Sequence, residues 1–233
     1  MTTTTQLMLP GQAAAPAGPN DLTGMFVIHH AFRRDLRAFV AAVTGTPAGD
    51  TVSWRALHDR WRLFGTFLHH HHTTEDEAIW PLLLSRVDEA GRETLAAMEA
   101  EHHEIDPLLA ACGDGFATLA THGDEDVRAS LEVRMVAAAE RLHRHLAHEE
   151  TEALVLVQAH LTPAEWEVME EKSAKGSYTF RELMALVPWI MYGLPVEAQR
   201  RLLKLAGPTL ALLWRVNRRG FARREAATFR SAV

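Results

Sequence analysis

Four long stretches of this chain carry apolar residues at steps of three and four, and no stretch alternates as a strand would. The first runs from about Thr23 to Val43 and stops before Gly45, Pro47 and Gly49. The second follows Asp50 and Ser53, either of which can cap it, and reaches about Val87, with Pro81 expected to kink it. The third begins near Gly91 and is expected to end near Cys112, Gly113 and Gly115, with Pro107 as a local disturbance. The fourth starts near Gly123 and Asp124 and continues to about His160, closed by Leu161, Thr162 and Pro163. Short connections between long helices favour antiparallel neighbours. The expected fold is all-α: an up-down-up-down four-helix bundle with a C-terminal extension of shorter helices.

This pattern divides the 233 residues into a flexible arm (1–20), the bundle (21–162) and a helical extension with a basic tail (163–233). The arm has no charged side chain and lacks the basic start and apolar run of a secretory signal, so the expected location is cytoplasmic. The longest uncharged apolar stretch, Leu183 to Val196, is 14 residues with two prolines. That is short of the roughly 18 of a transmembrane helix, and the stretch is expected to pack inside. From Val196 onward nine basic residues face two acidic ones, although the whole chain carries a net charge of −6. The tail reads either as a solvated basic helix docked on the acidic remainder or as a surface for an acidic partner. It contains no specific nucleic-acid-reading motif. The lone Cys112 excludes an internal disulfide framework and a cysteine-based cluster.

The histidines carry the functional signal: the chain has 14, eleven of them between His58 and His148. Helical phase sorts them. His29 lies on the first helix's apolar face with Met25, Phe32, Leu36 and Phe39, whereas His30 shares a face with Arg33, Arg34 and Arg37 that reads as wet. On the second helix the stripe is Leu57, Trp61, Phe64, Leu68, His71, Glu75, Ala78 and Leu82. On the third it is Leu95, Met98, His102, Ile105 and Leu109; on the fourth, Leu131, Met135, Ala138, Leu142, His145, Glu149 and Leu156. His69, His70 and His72 fall off the stripe and are expected to support the site or face solvent.

Each bundle helix thus places one histidine on the core face, and two add a glutamate one turn later. His71 and Glu75 are separated by about 6 Å of helix rise, and His145 and Glu149 repeat the spacing. Burying carboxylates without a partner costs several kcal/mol. Two glutamates and four histidines in one core therefore call for a compensating charge: a metal cation supplies it, whereas an all-protein network would have to satisfy the same groups by salt bridges. Imidazole plus carboxylate without thiolate points to Fe, Mn or Zn.

Four ordered segments carry a family resemblance: Ile28 to Leu36 (IHHAFRRDL), His71 to Pro81 (HHTTEDEAIWP), Met98 to His102 (MEAEH) and His145 to Glu150 (HLAHEE). Over about residues 22–160 the chain resembles the hemerythrin-like, or HHE cation-binding, domain family. The resemblance implies two non-haem, carboxylate-bridged Fe ions inside the bundle. It implies as ligands His29, His71, Glu75, His102, His145 and Glu149, the glutamates bridging. Two departures stand out. Where oxygen-carrying members have a second histidine one turn after that of the third helix, this chain has Asp106, so a carboxylate or water completes the site. Their last carboxylate is an aspartate five residues after its histidine, whereas Glu149 follows His145 by four. Fewer imidazoles and more carboxylates should favour Fe(III), which argues against a reversible O2 carrier.

The expected function is a di-iron redox protein that binds or reacts with hydrogen peroxide, O2 or NO, catalase-like in a stress-defence setting, with an unidentified electron donor. The alternative is an iron-dependent sensor of O2, NO or redox state with output through the C-terminal helices. A ferritin-like site would require a lone glutamate from the first helix, and none occurs between Phe26 and Val43.

Overall fold

A computed structural model describes residues 4–176 and 178–232, without the side chains of 172–176, 206 and 232. The described residues form helices and connecting turns, with no strand; a single bridge pairs Thr4 with Gly18. The long helices are α1 (Thr23–Gly45), α2 (Thr51–Thr74), α4 (Glu89–Leu119) and α5 (Glu125–His148). Asp50, Asp88 and Asp124 cap α2, α4 and α5 by accepting from backbone N–H groups of the first turn. α2 passes through a π-helical turn (Glu75–Ile79) into α3 (Trp80–Leu84), and α5 passes through another (Glu149–Ala153) into α6 (Leu154–His160). In space α1 packs on α2 and α5, and α4 packs on the same two, closing a ring of four.

The π turns correct the sequence reading. Each widens the helix by about one residue, so the apolar face beyond it is displaced by one position. Ile79 and Leu83 are buried where the straight stripe predicts Ala78 and Leu82, and Val157 replaces Leu156. The first π turn lies where Pro81, lacking an N–H, cannot sustain the α-ladder. The third helix also differs, running past Cys112 to Leu119. Phe116 and Leu119 continue its buried face, and Gly115 lies so close to α5 that a Cβ there would sit 3.1 Å from Leu131. The glycine serves packing rather than termination. Pro107 lies inside α4 without ending it.

The extension comprises α7 (Pro163–Gly176), α8 (Phe180–Met191) and α9 (Val196–Thr228), the last kinked at Gly207, whose φ of 76° is left-handed. Val187, Pro188, Trp189 and Met191 of α8 are buried. Arg60 of α2 ties α9 to α1 by pairing with both Glu225 and Asp35. Several basic residues of the tail are used internally: Arg201 pairs with Asp21 and Arg230 with Asp50. No helix among the described residues is long and apolar enough to cross a membrane.

Residues 4–20, expected to form a flexible arm, lie against the bundle. Leu9 is buried, and the wholly buried Asn20 donates to the carbonyls of Val157 and Leu161, closing the end of α6. The Gln158 amide grips the Asn20 backbone in both directions, accepting from its N–H and donating to its carbonyl. The arm and α8 also cover the α1 face that reads as wet. His30 and Arg33 are buried, and Arg34 donates to the Trp189 and Tyr192 carbonyls.

Candidate metal centre

Each bundle helix crosses a polar layer that separates two apolar clusters. One contains Phe32, Phe39, Phe64, Phe116 and Leu142; the other contains Phe26, Leu83, Met98, Leu154 and Val157. Within the layer two groups of donors converge: His29, His71, Glu75 and Glu149, and His72, His102 and His145. All seven residues are buried, and within each group the donor atoms lie within 4.8 Å of one another.

In the first group His29 Nε2 lies 3.1 Å from Glu149 Oε2 and 3.2 Å from His71 Nε2. His71 Nε2 is 3.0 Å from Glu75 Oε1. The other oxygen of Glu75, Oε2, lies 3.4 Å from His102 Nε2, so this one carboxylate reaches both groups. In the second group His102 and His145 oppose their Nε2 atoms at 3.2 Å, and the His72 ring stacks on His102 with centroids 3.9 Å apart. Both oxygens of Glu75 and of Glu149, and His72 Nε2, are buried without a hydrogen-bond partner among the described residues. Unsatisfied buried groups of this kind are costly. That these five inward-facing atoms share one layer fits the binding of a cation.

A surrounding shell fixes the imidazoles. His29 Nδ1 meets Glu150 at 2.9 Å, His102 Nδ1 meets Asp76 at 2.9 Å, and His145 Nδ1 meets Glu101 at 2.8 Å. A carboxylate on Nδ1 keeps a proton there, so that each Nε2, once deprotonated, presents its lone pair inward, as metal-bound histidines require. Glu150 is itself held by Arg33 and by the Ala13 N–H of the arm, and Glu101 also accepts from His148.

Electrostatics divide the protons unevenly. Burial would lower the His29 imidazolium, but Glu149 and Glu150 outweigh it and raise it to about 10. Burial, only partly countered by Glu149, holds His71 well below its ordinary range, and burial likewise lowers His72. Burial and the charge of Glu149 push Glu75 well above the usual carboxylate range; Glu149, despite its burial, is drawn below that range by His29. Metal ligation needs deprotonated donors, so a cation entering the first group would displace the protons on His29 and Glu75.

Of the sequence candidates, the layer brings together His29, His71, Glu75, His102, His145 and Glu149. Asp106 is outside both groups and exposed: the core face of α4 continues from His102 to the buried Ile105, and Asp106 turns one step further outward. His72, set aside by the phase argument, stands beside His102 instead. Its signal was its position four residues after the buried Leu68, on an apolar face wider than a single stripe. With His72 the layer holds five imidazoles and two carboxylates, so a shortage of imidazoles no longer argues against O2 binding. Glu150, five residues after His145, is turned away to His29 Nδ1 and Arg33. His69 and His103 are exposed.

A comparison with protein-family models matches residues 22–157 to the hemerythrin HHE cation-binding domain. No curated protein and no solved structure gives a significant match. Since that match spans more than half of the sequence and contains all seven inward-facing donors, the chain belongs to the hemerythrin HHE cation-binding domain family.

Proposed function

We propose that this protein is a non-haem di-iron redox protein whose metal site would be built from the two adjoining donor groups, with Glu75 and Glu149 as its carboxylates. The observation that carries the reading is the buried polar layer: two adjoining donor groups, touched in common by Glu75, with four buried carboxylate oxygens that make no hydrogen bond among the described residues. In this reading His29 and His71 would hold one ion, and His72, His102 and His145 the other. An up-down-up-down topology is supported by the order of the apolar clusters. α1 and α4 pass from the second cluster to the first, while α2 and α5 pass from the first to the second.

A bound iron pair supplies two-electron chemistry toward peroxide, O2 or NO. The chain's own contributions are positional and electrostatic. Glu150, Asp76 and Glu101 orient three imidazoles, the two apolar clusters restrict bulk water, and His29 and Glu75 would give up protons on binding a cation. The test is metal analysis with an optical spectrum before and after peroxide, in wild type and in His71→Ala/His145→Ala. Iron in the wild type, a peroxide-induced spectral change and loss of both in the variant are expected. Full iron retention with an unchanged spectrum in the variant would refute the site.

A second reading, a sensor, draws support from a run of ring contacts leaving the layer. Phe32 lies 5.4 Å from His71 and 5.2 Å from Trp189 of α8. A sensor requires hydrogen exchange in α8 and α9 to differ between reduced and oxidised protein; identical protection would exclude it.

A further inference from the structure

Between the bundle and the C-terminal helices lies a cavity of about 280 Å³ that the metal-binding reading leaves unused. Met25 and Ile28 of α1 form one wall; Trp166 of α7, Leu183 of α8 and Leu202 of α9 are among the side chains opposite. Most of the lining comes from residues after 157, beyond the family match. The bundle alone would therefore have no such enclosure. At one side the wall includes the ring of His71, whose Nε2 faces Glu75 in the polar layer. The cavity thus adjoins the candidate metal centre through a single imidazole.

Its polar groups are few. The Thr74 hydroxyl is engaged by the His70 carbonyl, and the His70 ring packs on Tyr178 with centroids 4.7 Å apart. The acidic group of the lining is Glu170, whose carboxylate lies over Gly24 so closely that a Cβ there would meet Oε1 at 2.6 Å. Glu170 keeps much of its side chain exposed, but the local desolvation of its carboxyl, with Asp21 and Glu167 nearby, raises it to about 7, which marks this side as unfavourable for further negative charge. A concave, largely apolar cavity, open on one side and with one ionisable group at its edge, is the usual form of a small-molecule site. Its volume, near the lower end of the about 300–1,000 Å³ typical of such sites, suits one aliphatic chain of about ten carbons.

We propose that the cavity binds a medium-chain aliphatic amphiphile with a neutral or cationic head, the head at Glu170 and the chain directed toward the His71 ring. The fit depends on the apolar walls and on Glu170, not on the identity of the metal. Calorimetric titration of the full chain, metal-free and iron-loaded, with n-decylamine, n-decanol and decanoate below their micellar concentrations tests this.

Binding of one amine or alcohol per chain is expected, with decanoate at least about tenfold weaker, a difference of about 1.4 kcal/mol. Leu183→Trp, which fills the cavity, should weaken the amine by about tenfold or more; Leu202→Trp makes the same test from another wall should the first variant fail to fold. Glu170→Gln should abolish the preference for amine over decanoate. Absence of binding by all three probes, decanoate binding as well as decylamine, or affinity unchanged by filling would overturn the proposal. Because the metal-free protein is titrated as well, failure of the cavity and failure of the iron reading remain distinguishable.

Discussion

Replacing Arg60 with Met tests whether charge holds the C-terminal helix on the bundle. The buried Arg60 donates through Nε to Glu225 Oε1 at 2.7 Å, and through Nη2 to Glu225 Oε2 at 3.2 Å and Asp35 Oδ2 at 2.5 Å. Met keeps much of the aliphatic volume and removes the charge. Asp35 would retain Arg34 and the Trp189 indole N–H. Glu225, only 5% exposed, would lose both of these hydrogen bonds. Stranding one partner of a buried pair costs about 3–5 kcal/mol. The retained partners of Asp35 place the expected loss toward the lower end, about 3–4 kcal/mol. At about 2–4 °C per kcal/mol for a chain of this size, Tm should fall by about 6–16 °C. Arg60→Met/Glu225→Met removes the stranded carboxylate and should be more stable than Arg60→Met alone. Urea unfolding followed by circular dichroism measures both. A single variant within about 1 kcal/mol of wild type, or a double variant less stable than the single, would refute the reasoning.

The same network sets a pH dependence. Burial opposes ionisation of Asp35, but Arg60 and Arg34 hold its carboxyl below the usual range. Its contribution to stability is therefore full above the unfolded-state value and is lost as pH falls through the lower folded value. The stability lost between about pH 5 and pH 3 should accordingly be smaller in Asp35→Asn than in wild type; an equal loss would count against the ion pair. His72→Ala should lower bound iron and His103→Ala should not, as measured by metal analysis of the purified proteins; equal iron in all three would remove His72 from the site. Burial pushes the Cys112 thiol up to about 12, so the native protein should resist thiol reagents that react in denaturant. Rapid modification without denaturant would contradict that burial.

Much of the candidate site was legible because the period of an α-helix is fixed. Stepping by three and four from Phe32, Leu68, Met98 and Leu142 reaches His29, His71, His102 and His145, and one further turn reaches Glu75 and Glu149. That arithmetic fails where the period changes. Both π turns begin at the glutamates themselves, and beyond them the prediction slips by one residue, from Ala78 to Ile79 and from Leu156 to Val157. A stripe one residue wide also misses His72, since α2 is covered across a broader arc that includes Phe67 and Leu68. The face bearing His30 and Arg33 reads as wet for another reason. What covers it comes from residues distant in sequence, Pro10 and Gly11 of the arm and Gly193 after α8. Local periodicity carries no information about such contacts.

The hydrogen bond from Ala13 to Glu150 bears on where this protein can be cut. Glu150 orients His29, so the backbone of residue 13 is two contacts from an inward-facing donor. α8 and α9 contribute walls to the cavity that His71 lines. A fragment trimmed to residues 22–157, the span of the family domain, would keep every candidate ligand. It would also open Glu150, Arg33 and the His71 wall to bulk water. The shielded site therefore draws on more of the chain than the family match, and a truncation drawn at the family boundaries would remove the insulation while sparing the ligands.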